Sequence, residues 1–172
     1  MDEKILNQLS IELGKRLKQE KLSVTCAESC TGGWIAKVIT DIAGSSAYFN
    51  RGFVTYSNDA KHEMLGVSLA SLAQFGAVSE QIVKEMAEGA LKVANADFSV
   101  AVSGVAGPEG GCEEKPVGTV CFGFAFRVDG DIASVTYRRY FPGERDTVRL
   151  HAVIFALETL LEEIVKNSLD AV

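Results

Sequence analysis

A hydroxyl, a thiol and two glycines crowd into Ala27-Glu28-Ser29-Cys30-Thr31-Gly32-Gly33-Trp34, residue types suited to covalent attack on a carbonyl. Ser29 is a candidate nucleophile, and Cys30 competes with it. Ahead of the stretch, Leu22 to Ala27 has the β-rich content of a short strand; behind it, Trp34, Ile35, Val38, Ile39 and Ile42 recur at helical spacing. A strand-to-helix joint aims unpaired backbone N–H groups and the positive end of a helix dipole at whatever lies in front of it. An anion, or a carbonyl oxygen becoming one, is the natural guest. The plainer readings are an N-cap role for Ser29 and a small buried hydrophobe at Cys30. The second is preferred for the thiol, because neither histidine has a context that marks it as a thiolate partner.

Lys61 is the candidate base. It follows Tyr56-Ser57-Asn58-Asp59-Ala60 in another strand-to-helix joint, so its amine can meet Ser29 over the sheet edge. An ordinary lysine, with a pKa of about 10.4, is unprotonated in fewer than about one in a thousand molecules at neutral pH. A working base needs a value lower by about three pH units, or about 4 kcal/mol from burial and cationic neighbours such as Arg145. Otherwise Lys61 is a solvated helix lysine. Tyr56 is either a strand-end core aromatic or a hydrogen-bond partner of Lys61 or of a substrate. Glu28 is either a buried partner for nearby backbone or a surface carboxylate. Arg145, with Arg149 one turn later, suits a phosphate clamp, since guanidinium binds phosphate through paired N–H groups; ion pairing with Glu144, Asp146 or Glu158 is the alternative. His62 and His151 fall on helical patterns and are assigned packing or solvent roles.

The elements that must position these groups alternate along the chain. Leu6, Leu9, Leu13 and Leu17 form the stripe of a first amphipathic helix over residues 2–21. Tyr48 to Tyr56 reads as a strand with a bulge at Gly52. Ser57-Asn58-Asp59 offers N-caps for a short helix that carries Lys61 and stops at Gly66, Ser68 to Phe75 gives another that stops at Gly76, and Ser79 caps a longer one. Phe98 to Val102 is an apolar strand leading into the second glycine-rich loop, Ser103 to Gly111. Thr119–Phe126 and Ile132–Tyr140 flank Asp129-Gly130, a hairpin signal, and Phe141 to Asp146 opens the last helix. The order predicts a three-layer α/β/α sandwich whose mixed sheet combines parallel strands with a C-terminal antiparallel hairpin. Sites in such sheets form at the carboxyl ends of strands, which singles out Glu28 to Gly33, Ser57 to Lys61, and Ser103 to Gly111. Neither glycine loop has the spacing of a P-loop or of G-x-G-x-x-G.

Composition narrows the classes. The 172 residues are read as a single domain, and 17 basic against 23 acidic residues, a net charge of −6, give no field to gather nucleic acid. No apolar run reaches the roughly 18 residues that cross a bilayer, and the charged N-terminus has no signal-peptide core, so a cytoplasmic protein is expected. Four cysteines without a C-x-x-C pair, and two histidines, lack zinc spacing; free thiols, no metal and no cofactor are expected.

The motifs taken together are Ala27-Glu28-Ser29-Cys30-Thr31-Gly32-Gly33, Tyr56-Ser57-Asn58 with Lys61, Gly76-Ala77-Val78-Ser79-Glu80, Ser103-Gly104-Val105-Ala106-Gly107-Pro108, Lys115-Pro116-Val117-Gly118-Thr119-Val120 and Gly143-Glu144-Arg145. In this order they resemble the CinA C-terminal domain family in its stand-alone form, without the molybdopterin-binding-like domain that precedes it in longer members. The resemblance implies hydrolysis of the carboxamide of nicotinamide mononucleotide (NMN) to nicotinate mononucleotide and ammonia, in pyridine-nucleotide recycling, by a metal-independent Ser–Lys pair. That pair maps onto Ser29 and Lys61, with Tyr56 as the third catalytic candidate. The backbone of Cys30, Thr31, Gly32 and Gly33 is then expected to receive the oxyanion, Gly104 and Gly107 to let backbone approach the nucleotide, and Arg145 to hold its phosphate. The resemblance also implies a homo-oligomer, a dimer. The chain departs from the family pattern at Glu109 and Cys112, where relatives often carry glycine or aspartate and then a small hydroxyl residue; a carboxylate there is expected to weaken or re-aim phosphate binding. The rival reading is a non-catalytic nucleotide-binding module in which Ser29 only caps a helix.

Overall fold

The structure, a computed structural model, describes residues 2–170; Met1, Ala171 and Val172 lie outside the described residues. Five strands order as β2-β1-β3-β4-β5: β1 (Val24–Glu28), β2 (Phe53–Val54), β3 (Phe98–Gly104), β4 (Thr119–Val128) and β5 (Asp131–Tyr140). The pairs β1–β2 and β1–β3 are parallel, while β3–β4 and β4–β5 are antiparallel. This is the expected mixed sheet with its terminal hairpin. The hairpin turns on Asp129 and Gly130, both with positive φ, the backbone that lets a two-residue turn follow the strand twist.

Among the described residues six α-helices flank the sheet: α1 (Asp2–Glu20), α2 (Trp34–Thr40), α3 (Asn58–Leu65), α4 (Leu69–Phe75), α5 (Glu80–Ala94) and α6 (Arg145–Asp170). Side-chain size on the sheet decides how closely each layer approaches. Towards α1, α2 and α6 the strands present Val100, Val102, Phe122, Phe124 and Phe126, which meet Leu13, Leu17, Ile35, Leu157 and Leu160. Burying each of these large side chains contributes on the order of 2 kcal/mol. Towards α5 the strands present Ala27, Ala101, Cys121 and Ala125, and a Cβ on Gly123 would strike the Val83 carbonyl of α5. Small residues there bring α5 almost onto the sheet backbone.

Local chemistry sets most helix ends. The Ser57, Ser68 and Ser79 side chains each accept an N–H from the first turn of α3, α4 and α5, and Gly66 ends α3 in the left-handed conformation. The long strand expected over residues 48–56 does not form: only Phe53–Val54 pairs as a strand, with an isolated bridge from Phe49 to Val24. Between them the Thr25 hydroxyl donates to the Arg51 carbonyl at 2.7 Å, a side-chain bond in place of ladder pairing. At Gly52 a Cβ would stand 2.9 Å from the Cys26 sulfur, so the chain passes the sheet where no side chain fits.

The pairing brings every strand junction of interest to one edge. Glu28 lies beside both Val54 and Val102, Gly104 beside Val120, and Thr119 beside Tyr140. The residues following β1, β2, β3 and β5 therefore converge there.

Candidate active site

Ser29 leaves β1 with its N–H donated to the Val102 carbonyl at 3.0 Å, which ties the backbone of this candidate nucleophile to β3. The turn that follows needs two left-handed residues, Gly32 (φ 62°) and Gly33 (φ 107°), a conformation costly to residues with a Cβ. Gly33, not Ser29, is the N-cap of α2, and it offers no side-chain cap.

Glu28 supplies the missing cap. Fully buried, its carboxylate accepts from the Thr31 hydroxyl at 2.6 Å, the Ile35 N–H at 2.8 Å and the Ala36 N–H at 3.0 Å. It thus meets the orphan donors and the positive dipole end of α2. Of the two readings open in the sequence, the buried partner is the one observed. Glu28→Gln replaces one acceptor oxygen by an NH2 group facing a donor; we expect a loss of about 2–3 kcal/mol, seen as a melting temperature lower by about 5–10 °C in thermal denaturation.

Lys61 sits in the first turns of α3, and the amine is turned inward. The residue is 1% exposed and Ser29 is 8% exposed. The Lys61 Nζ lies 2.9 Å from Ser29 Oγ, 2.9 Å from the Thr55 carbonyl and 3.2 Å from the Tyr56 carbonyl. Burial lowers the Lys61 pKa from the ordinary lysine value, opposed only by negative charge on Cys30. Arg145, considered as a source of this shift, is not among its causes. An uncharged amine has two N–H bonds and one lone pair. Its N–H groups suit the two carbonyls, and the lone pair then faces the Ser29 hydroxyl.

The competing thiol is placed differently. Cys30 belongs to the apolar cluster under α6, and burial pushes its pKa up to about 12, so it stays protonated near neutral pH.

Tyr56 contributes a different atom from the one anticipated. The residue is 63% exposed, and its phenol oxygen accepts from Arg145 Nη2 at 3.3 Å; Lys61 meets the Tyr56 carbonyl instead. The Tyr56 phenol is therefore not a partner of Lys61, because the chain turns outward at the end of β2. Arg145 also donates from Nη1 to the Gly107 carbonyl at 2.7 Å, while Arg149 turns away to the Cys30 and Thr31 carbonyls. Neither arginine forms an ion pair among the described residues. The bracing role of Arg149 was not readable in the sequence, since its partners lie more than a hundred residues away.

Ser29, Lys61, Tyr56, Gly104, Gly107 and Arg145 line one cavity of about 320 Å3, joined at its mouth by Glu109 and beside Lys61 by Asn58. Gly107 is held at φ 84° where a Cβ would strike Val117, so this wall is bare backbone. Of the expected oxyanion group, Cys30 lines the cavity, the Gly32 N–H is donated to the Ser29 carbonyl at 3.1 Å, and Thr31 is fully buried. Asn58, overlooked as a site residue, was marked only by its place beside Tyr56 and Ser57. A larger groove of about 550 Å3, lined by Leu6, Trp34, Lys37 and Leu150 among others, holds none of these groups. Among the described residues no three His, Cys, Asp or Glu side chains gather as metal ligands, and no helix is long and apolar enough to cross a membrane.

Known proteins share both the sequence and this geometry's scaffold. The CinA C-terminal domain pattern matches residues 6–164. The nicotinamide-nucleotide amidohydrolase PncC of Enterobacter agglomerans is 62% identical over 167 residues, covering 97% of this chain and 100% of that protein. PncC of Escherichia coli strain K12 is 58% identical over 169 residues, covering 98% and 100%. The crystal structure of the competence/damage inducible protein CihA from Agrobacterium tumefaciens matches with a TM-score of 0.86 at 47% identity, covering 92% of this chain and 94% of that one. Agreement over nearly the whole length, in sequence and in fold, makes this chain a member of the CinA C-terminal domain family.

Proposed function

We infer that this chain is a nicotinamide-nucleotide amidohydrolase that hydrolyses the carboxamide of NMN to nicotinate mononucleotide and ammonia, the activity carried in the names of the PncC relatives. The reading of the mechanism is supported above all by one contact: a lysine buried to 1% exposure with its amine 2.9 Å from the Ser29 hydroxyl.

Uncharged Lys61 takes the proton of Ser29 Oγ as that oxygen attacks the amide carbon. The carbonyl oxygen gains the charge and settles against the N–H of Cys30, in the turn whose dipoles favour an anion. The Lys61 ammonium returns its proton to the departing nitrogen, releasing ammonia and leaving an ester on Ser29. A water activated by the same amine then clears the ester. Gly104 and Gly107 give the nucleotide a backbone wall, and Arg145 at the mouth holds the phosphate. Glu109, a second charge at that mouth, weakens phosphate binding relative to a glycine.

The whole of residues 1–172 acts in this proposal as one catalytic domain without a cofactor, dimeric, in a cytoplasm where its four thiols stay free. Incubation of the purified protein with NMN is expected to release ammonia at a rate unchanged by a chelator. Binding of NMN without ammonia would favour the non-catalytic module, loss of activity restored by zinc would overturn the metal-free route, and light scattering on the same sample reads the dimer.

A further inference from the structure

Two arginines one turn apart on α6 hold different segments around the cavity. Arg145 holds the Gly107 loop and the Tyr56 phenol. Arg149, half-buried, turns to the nucleophile's own turn: its Nε donates to the Cys30 carbonyl at 3.0 Å, its Nη2 donates to the Thr31 carbonyl at 3.2 Å, and its guanidinium lies 5.7 Å from the Trp34 ring centroid.

Peptide planarity carries the effect onward, because the C=O and N–H of a trans unit point in opposite directions. Holding the Thr31 carbonyl towards α6 turns the Gly32 N–H to the other side. There it donates to the Ser29 carbonyl at 3.1 Å. The Ser29 carbonyl, so held, turns the N–H of its own peptide unit, that of Cys30, the opposite way. The Cys30 N–H has no backbone acceptor among the described residues, and Cys30 lines the cavity with Ser29 and Lys61.

We propose that Arg149 is a positioning residue for the reaction, setting the direction of the Cys30 N–H through the Thr31 carbonyl and the hydrogen bond from Gly32 to Ser29. The proposal rests on the reading of Ser29 as nucleophile. Arg149 does not line the cavity that holds Ser29 and Lys61. Its rigid fork spans two successive carbonyls, a geometry that the single ammonium of lysine does not reproduce.

The test compares Arg149→Lys and Arg149→Met with the parent, with kcat referred to the fraction of molecules whose Ser29 is labelled at the end point by a fluorophosphonate. In both variants kcat for NMN and the rate of Ser29 labelling fall together by about 10- to 100-fold, while KM stays within about two-fold. Arg145→Ala gives the opposite signature, a raised KM. Should Arg149→Met fail to fold, Arg149→Lys alone decides. A purely structural role would reduce the labelled fraction and leave the rates of the folded molecules at the parent level; that result, or a raised KM with unchanged kcat, overturns the proposal. A parent that labels but releases no ammonia sinks the amidohydrolase reading, and the labelling rates still judge Arg149. A parent that releases ammonia but never labels sinks the reading of Ser29 as nucleophile, and the proposal for Arg149 with it.

Discussion

Ser29→Ala lowers kcat for ammonia release from NMN by about 10,000-fold or more, the scale seen when a catalytic hydroxyl acting with its base is removed. The buried Cys30 thiol, held protonated at about 12, does not take over. The fold survives, because Ser29 is anchored through its backbone N–H to Val102 rather than through its hydroxyl. Ammonia assay beside a melting curve checks both halves. Substantial turnover in a folded Ser29→Ala protein would remove this residue from the chemistry, and a matching loss in Cys30→Ala alone would move the nucleophile to the thiol.

Lys61→Met keeps the volume of the side chain and removes the base, and we expect a loss of about 100- to 10,000-fold in kcat. The double variant with Ser29→Ala is no worse than Ser29→Ala alone, since the two groups act as a unit. In the parent, kcat/KM rises with pH as Lys61 loses its proton, over a range below the ordinary lysine value because burial lowers its pKa. That limb is absent from any residual activity of Lys61→Met. Stability gives an independent readout. A lysine whose folded pKa is lowered binds fewer protons folded than unfolded between the two values, so its contribution to stability improves as pH rises through that window. Denaturation of parent and Lys61→Met over pH should therefore shift in favour of the variant as pH falls from about 10.4 to the folded value, and level off below it. A difference independent of pH would mean that Lys61 titrates as an ordinary lysine.

What could be read in the chain and what could not separates by the range of the interaction. The serine caps at Ser57, Ser68 and Ser79 and the stop at Gly66 act within four residues, so residue order alone places those helices. The Asp129-Gly130 turn is equally local. The strand over residues 48–56 misled because its apolar content was real, yet the Thr25 hydroxyl and the close pass of Gly52 over Cys26 come from another part of the chain. Tyr56 divides along the same line: its motif was legible, but which of its oxygens meets Lys61 depends on where α3 docks.

Residue order by itself determined the α/β/α class, the strand-to-helix joint carrying Ser29 and the helix carrying Lys61, because each follows from periodicity and end chemistry over a few residues. Only the tertiary structure decided that the lysine is buried against that serine and two carbonyls, that Glu28 caps α2 from beneath, and that Arg149 reaches back to the turn. Those three contacts span 7, 32 and 119 positions, and at the longer separations what brings the partners together is the burial of the sheet's two faces rather than any preference of the residues that meet.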